Sequence, residues 1–288
     1  MSPRPTTSDV TQEPAGCASS CSPSFLYSAQ GALWGEKEVI GFGNKDFAVR
    51  ILSREYANQI ISENHYSKTT ACHSLIHLGV WSGELLGALQ FGLAMNPQSM
   101  GGVVEGTKAD EYLELNRMWL HDDLPRNSES KAISYALKFI KRTRPKTAWV
   151  QSFADERCGR QGVVYQACNF DYCGEHTSTF WELDGKMYHN SAMTRTDTGE
   201  GSKSEILRAN KERATPHKLR QFRYIYFLKR KFRAGLKLAV KPFPKHASEG
   251  SMESRPVTNG EGQGQILHDD PIPSAKENNE VNNPASKP

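Results

Sequence analysis

The sequence has no long apolar run. Nowhere in its 288 residues is there anything near the roughly 18 apolar residues a membrane helix needs, so no membrane partner is expected. The N-terminus, MSPRPTTSDVTQEPAGCASSCSPS, lacks the apolar stretch of a secretory signal. The expected location is therefore the cytoplasm. Metal-type cysteine spacing is missing as well. The six cysteines, at 17, 21, 72, 158, 168 and 173, include no C-x-x-C pair and no paired zinc spacing. Reduced thiols at half-buried positions are the simpler reading. His73 and His77 fall in a strand-like run, where their spacing places them on a strand face rather than on a helical ridge. No internal repeat is present.

Hydrophobic residues are also scarce, at 37% of the chain, with a mean hydropathy of −0.62. Part of the chain is therefore expected to lie outside any core. Residues 1–44 read as a disordered or extended segment, and 247–288, polar and rich in Gly and Asn, as a disordered tail. Between them, 45–246 carries the patterning of one domain.

Within that domain, FAVRIL alternates as a strand. A helix follows, with Ser53 as its N-cap and Ala57, Ile60 and Ile61 as its apolar face. Ser82-Gly83 separates two apolar runs and signals a hairpin. In EYLELNRMWLHDDLP, Leu113, Leu115, Arg117 and Trp119 alternate onto one expected strand face. Ala132, Ile133, Ala136, Leu137 and Ile140 then repeat at helical spacing, with Asn127 or Ser128 as cap and Pro145 beyond the end. KTAWVQSF reads as a strand, QGVVYQACNF as a short helix, and the segment from Tyr172 as a closing hairpin turning at Asp184-Gly185. The order β-α-β-β-β-α-β-α-β-β predicts an α/β (α+β) fold with a mixed sheet packed by helices.

Several residues could carry chemistry. The helix opening near Asn127 offers backbone N–H groups to an anion, with Arg126, Ser128 and Ser130 beside it, although Glu129 sits at the same end. An ordinary capped helix fits the same pattern. Arg117 is a charge on an apolar strand face, either snorkelling or reaching a ligand. Asp155, at a strand-to-helix junction, is a proton acceptor, an orienting group or a cap. Tyr165 is a core residue or a general acid. His65 and Tyr66 lie where the chain must turn, pairing a histidine expected to titrate near neutrality with a ring able to stack on a base.

Charge is uneven. Arg213 to Lys245 holds 11 Lys/Arg and no acid, against a net charge of −3 for residues 1–212 and −4 for 249–288. Phe222, Tyr224, Tyr226, Phe227 and Phe232 interleave with these cations, a composition that suits phosphate and base contacts. Arg220, Arg223, Lys229, Arg230 and Lys231 of segment 213–246 are the candidate DNA contacts. A basic membrane-surface segment is the other reading.

ENHYS (63–67), ELNRMWLHDDLPRNSES (114–130), SFADERCGRQGVVYQACNF (152–170) and HKLRQFRYIYFL (217–228) together resemble the Mom family of bacteriophage DNA-modification proteins. The element order is similar to that of the GNAT acetyltransferases. The resemblance covers about 45–228. It implies a GNAT-like, mostly antiparallel mixed sheet in a catalytic domain at 45–246, and conversion of adenine in double-stranded DNA to its N6-carbamoylmethyl derivative. Acetyl-CoA is the implied cofactor and protection from restriction the implied purpose. It also implies cofactor binding by Arg117, Arg126, Asn127, Ser128 and Ser130, and chemistry at Asp155, Tyr165, His65 and Tyr66. Tyr165 would protonate the departing thiolate. LPRNSES departs from the GNAT phosphate loop, Q/R-x-x-G-x-G/A, at the cofactor site. Simple acyl transfer leaves a carbonyl on the nitrogen where carbamoylmethyl has a methylene. A metal ion held by His65, Tyr66 and Asp155, or a further activation step, is therefore left open. A GNAT enzyme acetylating a protein or small amine is the alternative function, and an inactive DNA-binding protein a third.

Overall fold

A computed structural model describes residues 24–27, 38–94, 97–159, 161–194 and 201–244. Cys17, Cys21, most of the N-terminal segment and the tail 247–288 lie outside the described residues. The chain begins with β1 (Ser24–Tyr27), β2 (Val39–Gly43), β3 (Ala48–Ile51) and α1 (Arg54–Asn64). It continues through β4 (Ser74–Ser82), β5 (Glu84–Gly92), β6 (Tyr112–Leu120), α2 (Ser128–Thr143), β7 (Trp149–Asp155) and α3 (Val163–Ala167). Last come β8 (Asp171–Leu183), β9 (Lys186–His189), α4 (Ser191–Thr194), α5 (Lys203–Ala209) and β10 (Thr215–Phe227). No helix among the described residues is long and apolar enough to cross a membrane.

The ten strands form one mixed sheet in the order β1-β2-β3-β4-β5-β6-β7-β10-β8-β9. Every pairing is antiparallel except β6 with β7. That parallel pair is short. It joins Tyr112–Glu114 to Trp149–Gln151, after which the two strands no longer pair with each other. A gap therefore opens between Leu115–Leu120 and Ser152–Asp155, and a cleft sits there.

α2 covers one face of the sheet. Its Ala132, Ile133, Tyr135, Ala136, Leu137, Phe139 and Ile140 are all buried, joining Leu89, Phe91, Leu113, Leu115 and Val150 in the main core. Each large side chain withdrawn from water contributes about 1.5–3 kcal/mol, against helix propensity differences below about 0.7 kcal/mol per residue. Packing fixes this helix. The opposite face carries α1 through Ala57 and Ile61, and a C-terminal 3-10 turn through Phe232.

Three readings change. Leu113, Leu115, Arg117 and Trp119 do not share a face, because β6 inserts an extra residue at Asn116: Gln90 pairs with Arg117 while Phe91 pairs with Leu115. Such a bulge shifts every later side chain to the other side. Met118 and Leu120 thus pack with Leu113 and Leu115, whereas Trp119 packs against α1. Second, residues 215–227 of the basic segment are strand β10, inserted between β7 and β8. Phe222, Tyr224 and Phe227 are buried in the cores, so they cannot stack on bases. Third, β1 and β2 precede residue 45 and extend the sheet at one edge.

The expected hairpins are found. Gly83 turns β4 into β5 at φ 75°, and Asp184 and Gly185 turn β8 into β9 at φ 50° and 70°, the left-handed pair that a tight hairpin favours. Ser53 caps α1, its hydroxyl accepting from the Tyr56 N–H at 3.3 Å.

Candidate active site

The gap between β6 and β7 forms a cleft of about 770 Å³. One wall is the start of α2, with Arg126, Asn127, Glu129 and Ser130. The other is the loop after α1, with His65 and Tyr66, facing Asp155 and Cys158 at the end of β7. Arg117 and Tyr165 line the cleft between these walls. Of the residues singled out in the sequence, Ser128 alone among the catalytic and cofactor candidates is absent from the lining; it is buried at the first position of α2.

α2 begins without a side-chain cap. Asn127 adopts a left-handed conformation, φ 69°, and makes no cap hydrogen bond; the Ser130 hydroxyl donates to the Asn127 carbonyl at 3.0 Å. A second groove of about 540 Å³ shares Arg126, Asn127 and Ser130 with the cleft and continues along α2 past Lys131, Lys138 and Lys141.

The bulge at Asn116 aims Arg117 at the loop after α1, where its Nε donates to the Thr69 carbonyl at 2.9 Å. In that loop His65 is buried. Its Nδ1 lies 3.1 Å from the Ser67 N–H, which donates to it, and 2.9 Å from the Ser67 hydroxyl. Those bonds assign the neutral ring its proton on Nε2. Burial, followed by the nearby charges of Arg117 and Arg157, pushes the pKa of His65 down to about 4. This corrects the expectation of a histidine titrating near neutrality: the ring stays neutral through the physiological range.

The Tyr66 ring stacks at a tilt on His65, with centroids 4.2 Å apart. Its ring is half exposed, while its hydroxyl turns inward and donates to Asp155 Oδ2 at 3.3 Å. Burial and then the Asp155 charge raise the phenol pKa. Asp155 itself caps the 3-10 turn Glu156–Cys158, accepting the Arg157 N–H at 2.9 Å. Arg157 Nε reaches both carboxylate oxygens, at 2.9 and 3.1 Å. Burial alone would raise the pKa of Asp155, but these bonds and the Arg157 charge outweigh it and hold the carboxyl below its ordinary value. Cap and site residue are here the same group.

Tyr165 is buried in α3, within 2.8 Å of the Ser152 hydroxyl. Burial pushes its pKa up to about 12, the Ser152 bond opposing. Its placement depends on Gly162, which opens α3 at φ 82° and on which a Cβ would lie 2.3 Å from the Tyr224 ring. No larger residue fits there.

The cationic candidates are not brought together. Arg220 lies beside Gln221, which pairs with Asp155, and Lys229 follows Phe227, which pairs with Trp149 at the far end of β7. Six residues of strand separate those pairs by roughly 20 Å. Arg220 is tied to Glu156, its Nε 2.9 Å from Oε1. Arg223 sits over the Phe153 ring at 5.1 Å, on the sheet face. Lys229 donates to the Lys146 carbonyl at 3.2 Å, Lys231 lies over the Phe232 ring at 5.1 Å, and Arg230 opens the C-terminal 3-10 turn.

The residues nominated for a metal do not fit one. Asp155 is bonded to Arg157 and Tyr66, the His65 Nδ1 to Ser67, and the Tyr66 phenol is held protonated. Among the described residues no group of three or more His, Cys, Asp or Glu could hold a metal ion. Arg157 and Cys158, by contrast, belong to the site although no role followed from sequence. The D-x-R spacing at 155–157 was the available signal.

The sequence model of the Mom protein family matches residues 46–245. The chain belongs to this family. It is 53% identical over 214 residues to the methylcarbamoylase Mom of Escherichia phage Mu, covering 73% of this chain and 88% of that one. The Mom-family match takes in every site residue above and leaves β1 and β2 outside it. Among solved structures, an N-acetyltransferase from Staphylococcus aureus Mu50 is similar at 8% identity and a TM-score of 0.36, over 63% of this chain and 97% of that one. Arabidopsis thaliana NAA60 in complex with acetyl-CoA is similar at 11% identity and a TM-score of 0.39, over 63% and 99%.

Proposed function

We propose that this Mom-family chain is a transferase that modifies adenine in duplex DNA on its exocyclic amine, giving the N6-carbamoylmethyl derivative, with acetyl-CoA as cofactor and shielding from restriction as the purpose. The observation that carries the reading is the single cleft between β6 and β7, which has an uncapped helix start on one wall and His65, Tyr66 and Asp155 on the other. The name of the phage Mu relative, methylcarbamoylase, supports the same reaction.

The first turn of α2 supplies backbone N–H groups and a positive helix end to a pyrophosphate, and Arg126 and Ser130 add a charge and a hydroxyl. Glu129 on the same wall opposes an anion, an effect comparable with one Arg charge and smaller than the two favourable terms together. The adjoining groove with Lys131, Lys138 and Lys141 has room for the nucleotide end of the cofactor. Bound acetyl-CoA would supply an activated two-carbon unit. With its pKa pushed up to about 12, Tyr165 keeps its proton at neutral pH and would donate a hydrogen bond to a departing thiolate.

On the acceptor wall the half-exposed Tyr66 ring offers a stacking face to a base flipped from the duplex. His65 Nε2–H and the Tyr66 hydroxyl, itself held by the Asp155 anion, would orient its amine. Arg117, Arg126, Asn127 and Ser130 are assigned to the cofactor, Ser128 to the helix start alone. Arg220, Arg223, Lys229, Arg230 and Lys231 are assigned to the DNA backbone, at two separate ends of the sheet.

The test is to express the chain in cells, hydrolyse their DNA and identify the nucleosides. N6-carbamoylmethyl-deoxyadenosine is expected with the parent and not with Tyr165→Phe. Unmodified DNA together with an acetylated protein or small amine would replace this reading with the alternative.

A further inference from the structure

Arg157 lies outside the cleft lining, yet more of the acceptor wall converges on it than on any residue assigned above. Its guanidinium carbon sits 4.5 Å from the Phe180 ring centre and 5.2 Å from that of Tyr66, so one cation lies against both rings. In the same position its Nε and Nη2 grip the two oxygens of Asp155, and its own backbone N–H adds a third bond. The Tyr66 hydroxyl adds another. A carboxylate offers about four lone-pair sites, and these donors fill them. No lone pair is left for a substrate proton unless Arg157 or Tyr66 first lets go.

We propose that Arg157 is a positioning residue: it fixes Asp155 as an anion that orients the Tyr66 hydroxyl, and thereby removes Asp155 from proton transfer. This rests on the proposed function only for its activity readout. A planar, always-charged fork suits the task, because it pairs bidentately with a carboxylate while its charge lies against two rings; a lysine cannot pair bidentately.

The groups that face Asp155 come from several elements. Glu156 and Cys158 flank it on the turn, His65 and Tyr66 reach it from the loop after α1, Arg117 from β6, and Gln221 is its strand partner on β10. Arg157 is the cation bonded to it; Arg117 is held instead by the Thr69 and Asn116 carbonyls. His189 of β9 lies near Arg157, and burial followed by that charge lowers its pKa. Removing Arg157 therefore leaves a buried carboxyl without its cation, and burial then drives it toward the neutral form.

The experiment compares the parent full-length chain with Arg157→Gln in two ways. Carbon-13 NMR follows the Asp155 carboxyl against pH, assigned with Asp155→Asn, and adenine modification is timed from pH 6 to pH 9. The carboxyl of Arg157→Gln is expected to titrate far above the parent's, at about pH 8, as a buried carboxyl without a cation can. Its rate should fall about 100-fold at pH 6 and recover toward pH 9 as the anion returns, with acetyl-CoA affinity within twofold of the parent. An unchanged Asp155 titration overturns the proposal, as does a rate loss equal at every pH in a folded variant. If Arg157→Gln does not fold, Arg157→Lys decides: Asp155 should titrate higher and the rate at pH 6 should fall about tenfold, and parent-like values in both overturn the proposal. A parent that makes no modified adenine refutes the proposed function instead, and the carboxyl titration still judges Arg157 independently.

Discussion

The two walls of the cleft are built on opposite plans. On the acceptor wall each polar group is already bonded to a neighbour: His65 to Ser67, Tyr66 to Asp155, Asp155 to Arg157. On the cofactor wall the start of α2 has no side-chain cap, and Arg126 enters no ion pair among the described residues. A wall whose groups satisfy one another holds its shape without ligand, so binding there costs little ordering. A helix start left without a cap is completed by an anion. One wall is set in advance and the other is finished by what it binds.

The comparison breaks most visibly at the groups facing the reaction. Asp155→Asn and Tyr165→Phe are each expected to lower adenine modification by about 100-fold or more, measured by nucleoside analysis of DNA from expressing cells. Tyr165→Phe should stay folded, because Ser152 can still donate to the Leu115 carbonyl at 3.2 Å and removing one hydrogen bond costs only about 1 kcal/mol. Modification at the parent rate by either variant would remove that residue from the chemistry.

His65 gives the acceptor wall a pH signature. Its folded pKa of about 4 lies below the unfolded value of about 6.5, so the unfolded chain binds the extra proton between the two. Stability from this group is full above pH 6.5 and is lost as pH falls toward 4, by an amount on the order of 3 kcal/mol. Denaturant melts of the parent and His65→Gln across that window should diverge in slope, the variant losing less. Equal slopes would mean that His65 is solvated and the wall is not preformed.

The cofactor wall should respond more weakly, through charge alone. Arg126→Glu or Ser130→Glu places an anion at the helix start and should weaken acetyl-CoA binding by about 1–2 kcal/mol, roughly five- to thirtyfold, by calorimetry. Unchanged affinity would move the cofactor elsewhere.

What the sequence made legible was periodic. The helical spacing from Ala132 to Ile140 and the turn pairs Ser82-Gly83 and Asp184-Gly185 each carry a local physical cause, and each element formed where expected. The bulge at Asn116 has no such signal, since one added residue alters no propensity; yet it decides which way Arg117 and Trp119 point. β10 was hidden differently. Phe222, Tyr224 and Tyr226 do alternate, but Arg223 stands among them and Lys218 and Arg220 just before, so charge density spoke for a surface where period two marked a central strand. For the site, residue types at junctions were readable, whereas the closed Tyr66–Asp155–Arg157 cluster joins positions 89 apart in sequence and depends on the folded sheet.

That misreading shapes the last and smallest prediction. Had 213–245 been one exposed basic face, neutralising Lys229, Arg230 and Lys231 would free three phosphates of the duplex. Strand β10 instead sets these residues at the end of the sheet away from Asp155. There Lys229 is held by the Lys146 carbonyl and Lys231 by the Phe232 ring, which leaves Arg230 as the cation freest to meet a phosphate. Each phosphate that is no longer neutralised flattens the log–log salt dependence of duplex binding by about 0.9. The triple Gln variant should therefore lower the slope by about one such step, and Arg230→Gln alone should reproduce it. Removing 249–288, a net acidic stretch, should not lower it. A fall near three steps would show that the duplex grips this far end directly, and an unchanged slope would confine DNA binding to the cleft end, beside Arg220.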